Sequence, residues 1–431
     1  MTLRTDTPPR PDASSADPVQ AFLTIAARHR RCFWLDGGAS RPWTGARSLL
    51  GWLDDGDTSL TYDAARREVT RHVGSESRVV GTDMFEVLEA EMANGAPEGL
   101  WVGYFGYAAR PDLPAQTQPS ALPDAVWMHA RNVQVIEHAT VATPLPTGPA
   151  LRADVVVPAD YAAAFEAVQE HLHAGNTYEA NLTHRIHVCS DITPVDAYLR
   201  LRALNPAPYA GFIQHRGAWL LSSSPERYAT ISQERVIETR PIKGTTRRGA
   251  TPAEDDRLRQ LLSADEKFRA ENLMIVDLLR NDLGMVCDVG TVEVPDLMTV
   301  ESYSSVHQLV STVRGRLRDG VSTVGALREL FPAGSMTGAP KRRTMEVIRE
   351  VEATPRGVYS GAFGWISPDG RADLGVIIRS LTTSGDNRWQ LGAGGGITVQ
   401  SDVTEEYAEA TWKAERLLAS ITSPPHLPLD G

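Results

Sequence analysis

One lysine of this chain lies in a short segment whose residues can do chemistry on an anionic substrate. The segment, residues 241–249, reads PIKGTTRRG. In it, Gly244 lets a ligand approach the backbone closely, and the threonine hydroxyls can bond a carboxylate. A buried lysine can lose its proton and become a nucleophile, so Lys243 is a candidate for covalent catalysis. A solvated basic turn is the alternative interpretation of the same residues.

A second candidate group is a glutamate pair late in the sequence. Glu406 and Glu409 are three residues apart and Lys413 follows four residues later, so in a helix all three side chains project from roughly one face. Such a face can hold a hard cation through carboxylate oxygens while the lysine reaches an anion beside it. The spacing also fits an ordinary exposed helix with Glu/Lys pairs.

Two further features can bind carboxylates. Arg379 interrupts an apolar segment, and a cation in such surroundings needs an anionic partner, which is either an internal Asp or Glu or a ligand. Residues 392–396 include four glycines, which fits a turn or bulge, or a row of N–H donors around a carboxylate. We exclude nucleotide binding there, because the sequence has neither the Walker lysine nor a βαβ dinucleotide fingerprint.

These features belong to a series of five motifs. Besides the Lys243 segment, the motifs are SPER (224–227), ENLMIVDLLRNDL (271–283), FPAGSMTGAPK (331–341), and GAGGGI (392–397) followed by EYAE (406–409). In content, order and spacing they resemble the chorismate-utilising enzymes, a family that includes anthranilate, aminodeoxychorismate, isochorismate and salicylate synthases. The resemblance runs from about residue 161 to residue 418.

The resemblance implies a substrate, a cofactor and a set of site residues. Chorismate is the implied substrate, and Mg²⁺, held by Glu271, Glu406 and Glu409, is the implied cofactor that binds its ring carboxylate. The implied catalytic residues are Lys243, Glu226 and His307, and the implied substrate-binding residues are Thr245, Ser335, Tyr359, Arg379, Gly394, Gly395, Gly396 and Lys413. In this scheme Tyr359 and Arg379 clamp the enolpyruvyl carboxylate, His307 lines the ring, and Glu226 protonates the departing C4 hydroxyl.

Two positions bear on which member of the family the chain resembles. The family often has a further acid three residues before Glu271, where this chain has Phe268, so the carboxylate set is one member short. Isochorismate and salicylate synthases carry a water-activating lysine at the position of Glu179, so the resemblance implies that hydroxylation at C2 lacks its base here. A structural hydrogen-bond partner is the alternative role for Glu179.

Lys243 makes the resemblance closest to the members that aminate chorismate at C4, component I of aminodeoxychorismate synthase. Anthranilate synthases usually carry alanine at that position. The implied reaction converts chorismate and ammonia to 4-amino-4-deoxychorismate, with Lys243 attacking C2 as the C4 hydroxyl leaves. The sequence shows no Cys/His/Glu glutaminase set, so we expect the ammonia to come from a separate glutamine amidotransferase, component II. A second enzyme would then eliminate pyruvate to give p-aminobenzoate, for folate or for an antibiotic.

Several alternatives stay open at this point. Anthranilate synthase component I and aminodeoxyisochorismate synthase belong to the same family. A non-catalytic homologue that binds a chorismate-like or tryptophan-like molecule belongs to another functional class, and residues 46–51 and 205–209 lie where family members form an effector pocket. The joint presence of the metal-type glutamates, His307 and Lys243 favours an enzyme.

Composition limits the remaining possibilities. The formal charge of −11 argues against nucleic acid as a partner, since nucleic acid binds clustered Lys and Arg. No apolar run is long enough to span a membrane, and residues 1–19 have no apolar signal core, so we expect a cytoplasmic protein. Cys32, Cys189 and Cys287 are too scattered for a disulfide framework or a thiolate zinc site.

Helices and strands must both contribute to positioning these side chains. Short alternating runs such as residues 32–35 and 100–107 predict strands, as do residues 358–366, 374–381 and 388–391. Apolar periodicity predicts helices over 160–173 and from near Glu266. We predict a mixed α/β (α+β) fold, and the resemblance implies two antiparallel β-sheets packed as a sandwich with surrounding helices. The expected divisions are a disordered N-terminus (1–19), an N-terminal β-rich region (20–150), a chorismate-binding catalytic region (151–420) and a C-terminal tail (421–431).

Overall fold

The fold comes from a computed structural model that describes residues 17–37, 47–95, 97–138, 155–302 and 306–422. The expected region boundary at residue 150, most of the N-terminal segment and most of the C-terminal tail lie outside these residues. Within them the chain forms nine α-helices: α1 (Pro18–Arg28), α2 (Met84–Asn94), α3 (Ala159–His173), α4 (Pro194–Leu204), α5 (Pro252–Ala264), α6 (Glu266–Gly284), α7 (Thr323–Leu330), α8 (Lys341–Val351) and α9 (Val403–Thr422). The predicted helices over 160–173 and from near Glu266 are confirmed as α3 and α6.

The strands of the described residues fall into a first half and a second half of the chain. Before residue 150 they are β1 (Arg31–Asp36), β2 (Arg47–Trp52), β3 (Ser59–Asp63), β4 (Glu68–Val73), β5 (Glu76–Gly81), β6 (Leu100–Phe105), β7 (Ala125–Ala130) and β8 (Asn132–Glu137). After it they are β9 (Glu179–Cys189), β10 (Tyr209–His215), β11 (Ala218–Ser224), β12 (Arg227–Ile231), β13 (Val236–Arg240), β14 (Ile242–Arg247), β15 (Glu293–Ser302), β16 (Val306–Arg316), β17 (Gly338–Ala339), β18 (Ala362–Ile366), β19 (Ala372–Val376), β20 (Ser380–Thr383) and β21 (Arg388–Ile397).

These strands form two large antiparallel sheets. The first sheet has the order β17-β9-β21-β20-β11-β10-β1-β2-β8, and the second has the order β14-β16-β13-β12-β19-β18-β6-β7-β3-β4-β5, with β15 paired to β16. The predicted mixed fold with two antiparallel sheets is therefore confirmed. Strands from before and after residue 150 pair within both sheets, as β1 does with β10 and β6 with β18.

The hydrophobic core lies in three layers. Side chains from both sheets meet in the middle, among them Phe33, Val102, Ile213 and Phe363. Helices α1, α4 and α9 cover the outer face of the first sheet, and α2, α6 and α7 cover that of the second. Among the described residues, no helix is both long and apolar enough to cross a membrane.

Helix α6 shows how local sequence positions a candidate site residue. The carboxylate of Asp265 caps the helix by accepting a hydrogen bond from the Phe268 N–H. Apolar residues at helical spacing, including Ile275 and Leu279, bury one side of the helix against the second sheet. Glu271 lies on the same buried side, so a carboxylate is carried into the interior by the packing of its neighbours.

One strand prediction needs correction, and one open alternative is resolved. Residues 374–381 are not one strand, because β19 belongs to the second sheet and β20 to the first. Arg379 lies at this crossover with a φ of 51°, in the left-handed region that non-glycine residues rarely adopt. Of the two alternatives for residues 392–396, the simple turn is not formed, since β21 continues through these glycines and pairs with β9 along its whole length.

Candidate active site

A cavity of about 150 Å³, open to solvent at its mouth, lies where strands of both sheets meet helices α6 and α9. A concave site lined by convergent polar groups suits a small-molecule ligand. The structure brings together nearly all of the predicted site residues in its lining: Glu226, Lys243, Thr245, Glu271, Ser335, Tyr359, Arg379, Gly394, Gly395, Gly396, Glu406, Glu409 and Lys413.

His307 is the exception, and the expectation that it lines the substrate is wrong in this structure. In the pairing of β14 with β16, Thr245 lies opposite Gln308 and Thr246 opposite His307. Successive side chains of a strand point to opposite faces, so Gln308 and Thr245 line the cavity while His307 turns away. The His307 ring is fully buried between Ser302 Oγ (2.8 Å) and Asp255 Oδ1 (3.0 Å), which gives it a structural role.

Lys243 and Glu179 form a buried ion pair at the base of the cavity. The Lys243 side chain reaches in from β14 and its Nζ donates a hydrogen bond to Glu179 Oε1 at the start of β9. Burial lowers the pKa of Lys243, but attraction to Glu179, Glu271 and Glu226 outweighs burial, so its pKa is raised. Glu179 Oε2 has no hydrogen-bond partner within the described part of the chain. The lysine is therefore protonated at rest, with a carboxylate beside it that can take its proton.

Gly396 makes room for this pair, and Gly244 makes room for the neighbouring Phe268 ring. A Cβ on Gly396 would lie 2.2 Å from Glu179 Oε1 and 3.0 Å from Lys243 Nζ, so any side chain there would displace the ion pair. Gly244 has a φ of +84°, which favours glycine, and a Cβ there would meet the Phe268 ring at 2.9 Å. The glycines of β21 thus act as a cavity floor that lets charged groups approach the backbone.

Glu226 has the protonation behaviour of a general acid. It lies between β11 and β12, is 6% exposed, and accepts a hydrogen bond from Ser335 Oγ at 2.5 Å. Burial raises the pKa of Glu226 to about 7, against smaller lowering effects of Ser335 and Lys243. A substantial fraction of this carboxyl is therefore protonated near neutral pH, where an ordinary glutamate would be ionised.

Arg379 and Tyr359 meet at the wall that carries the sheet crossover. The Arg379 guanidinium lies 5.5 Å from the centre of the Trp412 ring, and none of the described carboxylates pairs with it within 4 Å. Burial, followed by repulsion from Arg416, lowers the pKa of Arg379 to about 10. A half-buried cation without a paired carboxylate is a suitable partner for an anionic ligand.

The oxygen ligands expected for Mg²⁺ are present, but lysines hold two of them. Glu271 Oε1 is buried and has no hydrogen-bond partner among the described residues, which suits a ligand for a cation. Glu406 Oε1 accepts from Lys267 Nζ at 2.9 Å, and Glu409 Oε1 pairs with Lys413 Nζ at 2.7 Å.

The spacing of the carboxylates agrees with their pairing to lysines. In the described ranges, no three His, Cys, Asp or Glu side chains are gathered closely enough to hold an ion. The residue types fit a hard divalent cation, since Mg²⁺ takes few carboxylates and completes its shell with water and substrate.

Sequence reasoning missed Gln308 and Lys267 as cavity residues, and it did not connect Lys243 with Glu179. Lys267 could have been found, because it lies four residues before Glu271 and so shares a helical face with it. The ion pair joins residues 64 positions apart, which periodicity cannot connect. Phe268, where the family has a further acid, also lines the cavity, so it adds an apolar wall instead of a ligand.

Comparison with known proteins now adds to this geometry. A family model described as chorismate binding enzyme matches residues 32–419. The chain belongs to the chorismate-binding enzyme family. The match begins well before residue 161, so the family includes the strands of the first half of the chain as well.

Relatives in this family carry two kinds of name. The chain is 39% identical to an aminodeoxychorismate synthase of Streptomyces pristinaespiralis, over 94% of this chain and 64% of the relative. It is 37% identical to an aminodeoxychorismate synthase of Streptomyces griseus, over 93% of this chain and 62% of the relative. It is 36% identical to anthranilate synthase component 1 of Streptomyces coelicolor, over 95% and 94%. The chain thus spans less than two thirds of the first two relatives.

A solved structure confirms the chorismate-binding fold. Anthranilate synthase component I from Streptococcus pneumoniae superposes with a TM-score of 0.71 at 24% identity, covering 96% of this chain and all of that one. At this identity the likeness concerns the fold alone. The specific reaction must be argued from the cavity residues.

Proposed function

We propose that the chain is a Mg²⁺-dependent aminodeoxychorismate synthase component that converts chorismate and ammonia to 4-amino-4-deoxychorismate. The observation that carries this proposal is the buried lysine Lys243 in the same cavity as three metal-type glutamates and an arginine without a paired carboxylate. The names of two relatives over most of the chain support it. Ammonia from a glutamine amidotransferase partner, and p-aminobenzoate as the later product, belong to the same proposal.

Lys243 supplies the nucleophile in this scheme, and Glu179 makes that possible. An ammonium cannot attack, so the proton of Nζ passes to the hydrogen-bonded carboxylate as the neutral amine bonds to C2 of chorismate. The conjugated ring double bonds shift and the C4–O bond breaks. Among the described carboxylates, Glu179 alone is hydrogen-bonded to Nζ, so we assign it this proton.

Glu226 takes the leaving group. Because its pKa is about 7, it can hold a proton near neutral pH and pass it to the departing hydroxide, which leaves as water. Ammonia then bonds to C4, the double bonds shift back, and the C2–N bond to Lys243 breaks. The freed amine recovers the proton held by Glu179, and the new C4 ammonium returns a proton to Glu226.

The remaining cavity residues orient the two carboxylates of the substrate. Arg379 and Tyr359 suit the enolpyruvyl carboxylate, since a guanidinium can donate two parallel hydrogen bonds to it. Glu271, Glu406 and Glu409 would hold Mg²⁺, which neutralises and orients the ring carboxylate when bound. Chelation should therefore abolish turnover, and added Mg²⁺ should restore it.

Anthranilate synthase component I is the second candidate, since the Streptomyces coelicolor relative matches nearly from end to end. Lys243 disfavours it, because by resemblance anthranilate synthases usually carry alanine at that position. The two reactions release different products, because anthranilate formation eliminates pyruvate and amination at C4 alone does not.

The test is product identification. The purified chain, incubated with chorismate, Mg²⁺ and an ammonium salt at mildly alkaline pH, should release an amino product that retains the enolpyruvyl group. Anthranilate with pyruvate would show the second candidate instead. A hydroxylated chorismate isomer would show isochorismate chemistry, and binding without turnover would show a non-catalytic homologue.

A further inference from the structure

Lysine is rare in this chain, and its placement is uneven. Of 43 basic residues, four are lysines, Lys243, Lys267, Lys341 and Lys413, and the others are arginines. Three of the four lysines line the one cavity that also holds the metal-type glutamates. Lysine differs from arginine in carrying a compact point charge on a flexible stem, which resembles a small cation more than a planar guanidinium does.

Lys267 reaches the most buried of the glutamates on α9. Its Nζ donates to Glu406 Oε1 at 2.9 Å, an oxygen that also accepts from Ser401 Oγ at 2.7 Å. Glu406 is 4% exposed, whereas the Lys267 side chain is 30% exposed and enters from the cavity rim. The pair joins α6 to α9, the two helices that carry the three proposed metal ligands.

Glu271 lies one turn after Lys267 on the same face of α6. Its Oε1 is buried and has no hydrogen-bond partner among the described residues. The ammonium of Lys267 therefore satisfies one carboxylate of the set and leaves an adjacent one open. A divalent cation would satisfy both, and it would repel an ammonium bound to the same oxygen.

We propose that the Lys267 ammonium is a tethered substitute for the divalent cation. The ammonium neutralises Glu406 while the site holds no metal, and it is displaced when the metal binds. This inference rests on the proposed function, from which it takes the assignment of Glu271, Glu406 and Glu409 as metal ligands. Displacement needs no change of fold, because the partly exposed stem can swing into solvent.

The structure offers a reason for such a device. Without a cation, Glu406 would be a buried carboxylate whose one strong partner is a serine, and unpaired buried charge is destabilising. The lysine keeps the site assembled between turnovers. It also sets the affinity for the metal, because binding requires that one ion pair be broken.

The first experiment measures where Lys267 goes. The intact chain is treated with the acetylating reagent sulfosuccinimidyl acetate at increasing Mg²⁺, with NaCl adjusted to constant ionic strength, and each lysine is followed by peptide mass. We expect acetylation of Lys267 to accelerate with Mg²⁺. Lys341, whose side chain is 12% exposed and pairs with Asp282 (2.7 Å), is the internal control and should not respond.

The second experiment measures the competition by calorimetry with Mg²⁺ alone. Lys267→Gln should bind Mg²⁺ about two- to fivefold more tightly than the wild type, the factor expected from removing one partly exposed ion pair. Lys267→Arg, which keeps the charge, should bind no more tightly than the wild type. Arg269→Gln removes an exposed positive charge from the same helix and is the control for net charge, with no expected change.

The outcomes separate this inference from the proposed function. If the wild type binds Mg²⁺ but Lys267→Gln binds it equally or more weakly, or acetylation of Lys267 does not rise, the substitution by lysine is overturned and the function stands. If Mg²⁺ binds to Lys267→Gln alone, the inference is supported in its strongest form. If neither protein binds Mg²⁺, the metal assignment and the inference fail together.

Discussion

Two clusters of buried glutamates in this molecule differ in how fully the carboxylate oxygens are paired with donors. In the first, Glu352 at the end of α8 is surrounded by donors: Arg356, Arg185 and both the hydroxyl and N–H of Thr183. In the second, around the cavity, Glu271 Oε1 and Glu179 Oε2 have no partner among the described residues.

The direction of the pKa shift of each buried glutamate depends on the donors around its carboxylate, and not on burial alone. Burial alone would raise the pKa of Glu352, but the two arginines and the hydrogen bonds outweigh it and the pKa is lowered. Burial is left largely uncompensated at Glu226 and Glu271, and raises the pKa of each to about 7. A buried carboxylate whose oxygens are paired with donors stabilises the fold, whereas lone pairs left open in a buried site await a ligand or a proton.

The largest expected effect is on turnover, at Lys243. Alanine there would leave Glu179 buried without its partner, so Lys243→Gln is the better replacement, because an amide still donates to the carboxylate. Turnover should fall on the order of a thousandfold or more, as when a covalent route is lost. The free energy of unfolding should fall by about 1 to 3 kcal/mol, because the amide donates one hydrogen bond but leaves the charge of Glu179 unpaired. A variant near wild-type rate, measured by product mass, would remove Lys243 from the mechanism.

Glu352 should show the reverse pattern, with a large loss of stability. Glu352→Gln leaves Arg185 and Arg356 buried without a counter-charge, which we expect to cost about 3 to 5 kcal/mol of unfolding free energy. The matched control is Glu350→Gln on the same helix, an exposed residue whose change should cost less than about 1 kcal/mol. Urea denaturation of both proteins checks this. Equal stabilities would mean that the two clusters do not differ as described.

We expect Glu226 to support turnover but to lower the stability of the folded chain at neutral and alkaline pH. Its pKa in the folded chain, about 7, exceeds the ordinary value of 4.5, so the folded state holds its proton longer than the unfolded state. Stability contributed by this group is therefore present below about pH 4.5 and lost as the pH rises to about 7.

Glu226→Gln removes this penalty, so it should gain up to about 3 kcal/mol over the wild type at pH 8 and little at pH 4.5. Its turnover should drop about a hundredfold or more because the leaving hydroxide has no acid. Thermal melts at the two pH values measure the first effect. A variant less stable than the wild type at pH 8 would show that the carboxylate is satisfied after all.

Much of the fold could be predicted from sequence, but which face of a buried strand meets the cavity could not. The helix that carries Glu271 was predictable from its apolar spacing and its Asp265 cap. Strand β16 is buried on both faces over most of its length, so alternation gave no sign of which face meets the cavity, and His307 was chosen where Gln308 belongs. A continuous apolar run likewise concealed the crossover at Arg379, because buried strands of either sheet have the same composition.

The residues of the site could be predicted from the sequence, but the ion pairs and hydrogen bonds between them could not. The family resemblance identified thirteen of the cavity residues, and ten of these lie within the five motifs. The pairing of Lys243 with Glu179 and of Lys267 with Glu406 depends on tertiary packing of strands and helices far apart in sequence. These pairs decide which groups are charged, so the proton transfers could be argued only from the structure.

The most direct test of the central claim is to look for the bond that Lys243 is proposed to form. The wild-type chain is mixed with chorismate and Mg²⁺ without ammonium, quenched in acid at successive times, and examined by intact and peptide mass. We predict a protein species heavier by chorismate less one water, with the added mass on the peptide that contains Lys243. It should disappear when ammonium is added before the quench. A chain that aminates chorismate but never shows this species, or a Lys243→Gln protein that shows it equally, would contradict the claim.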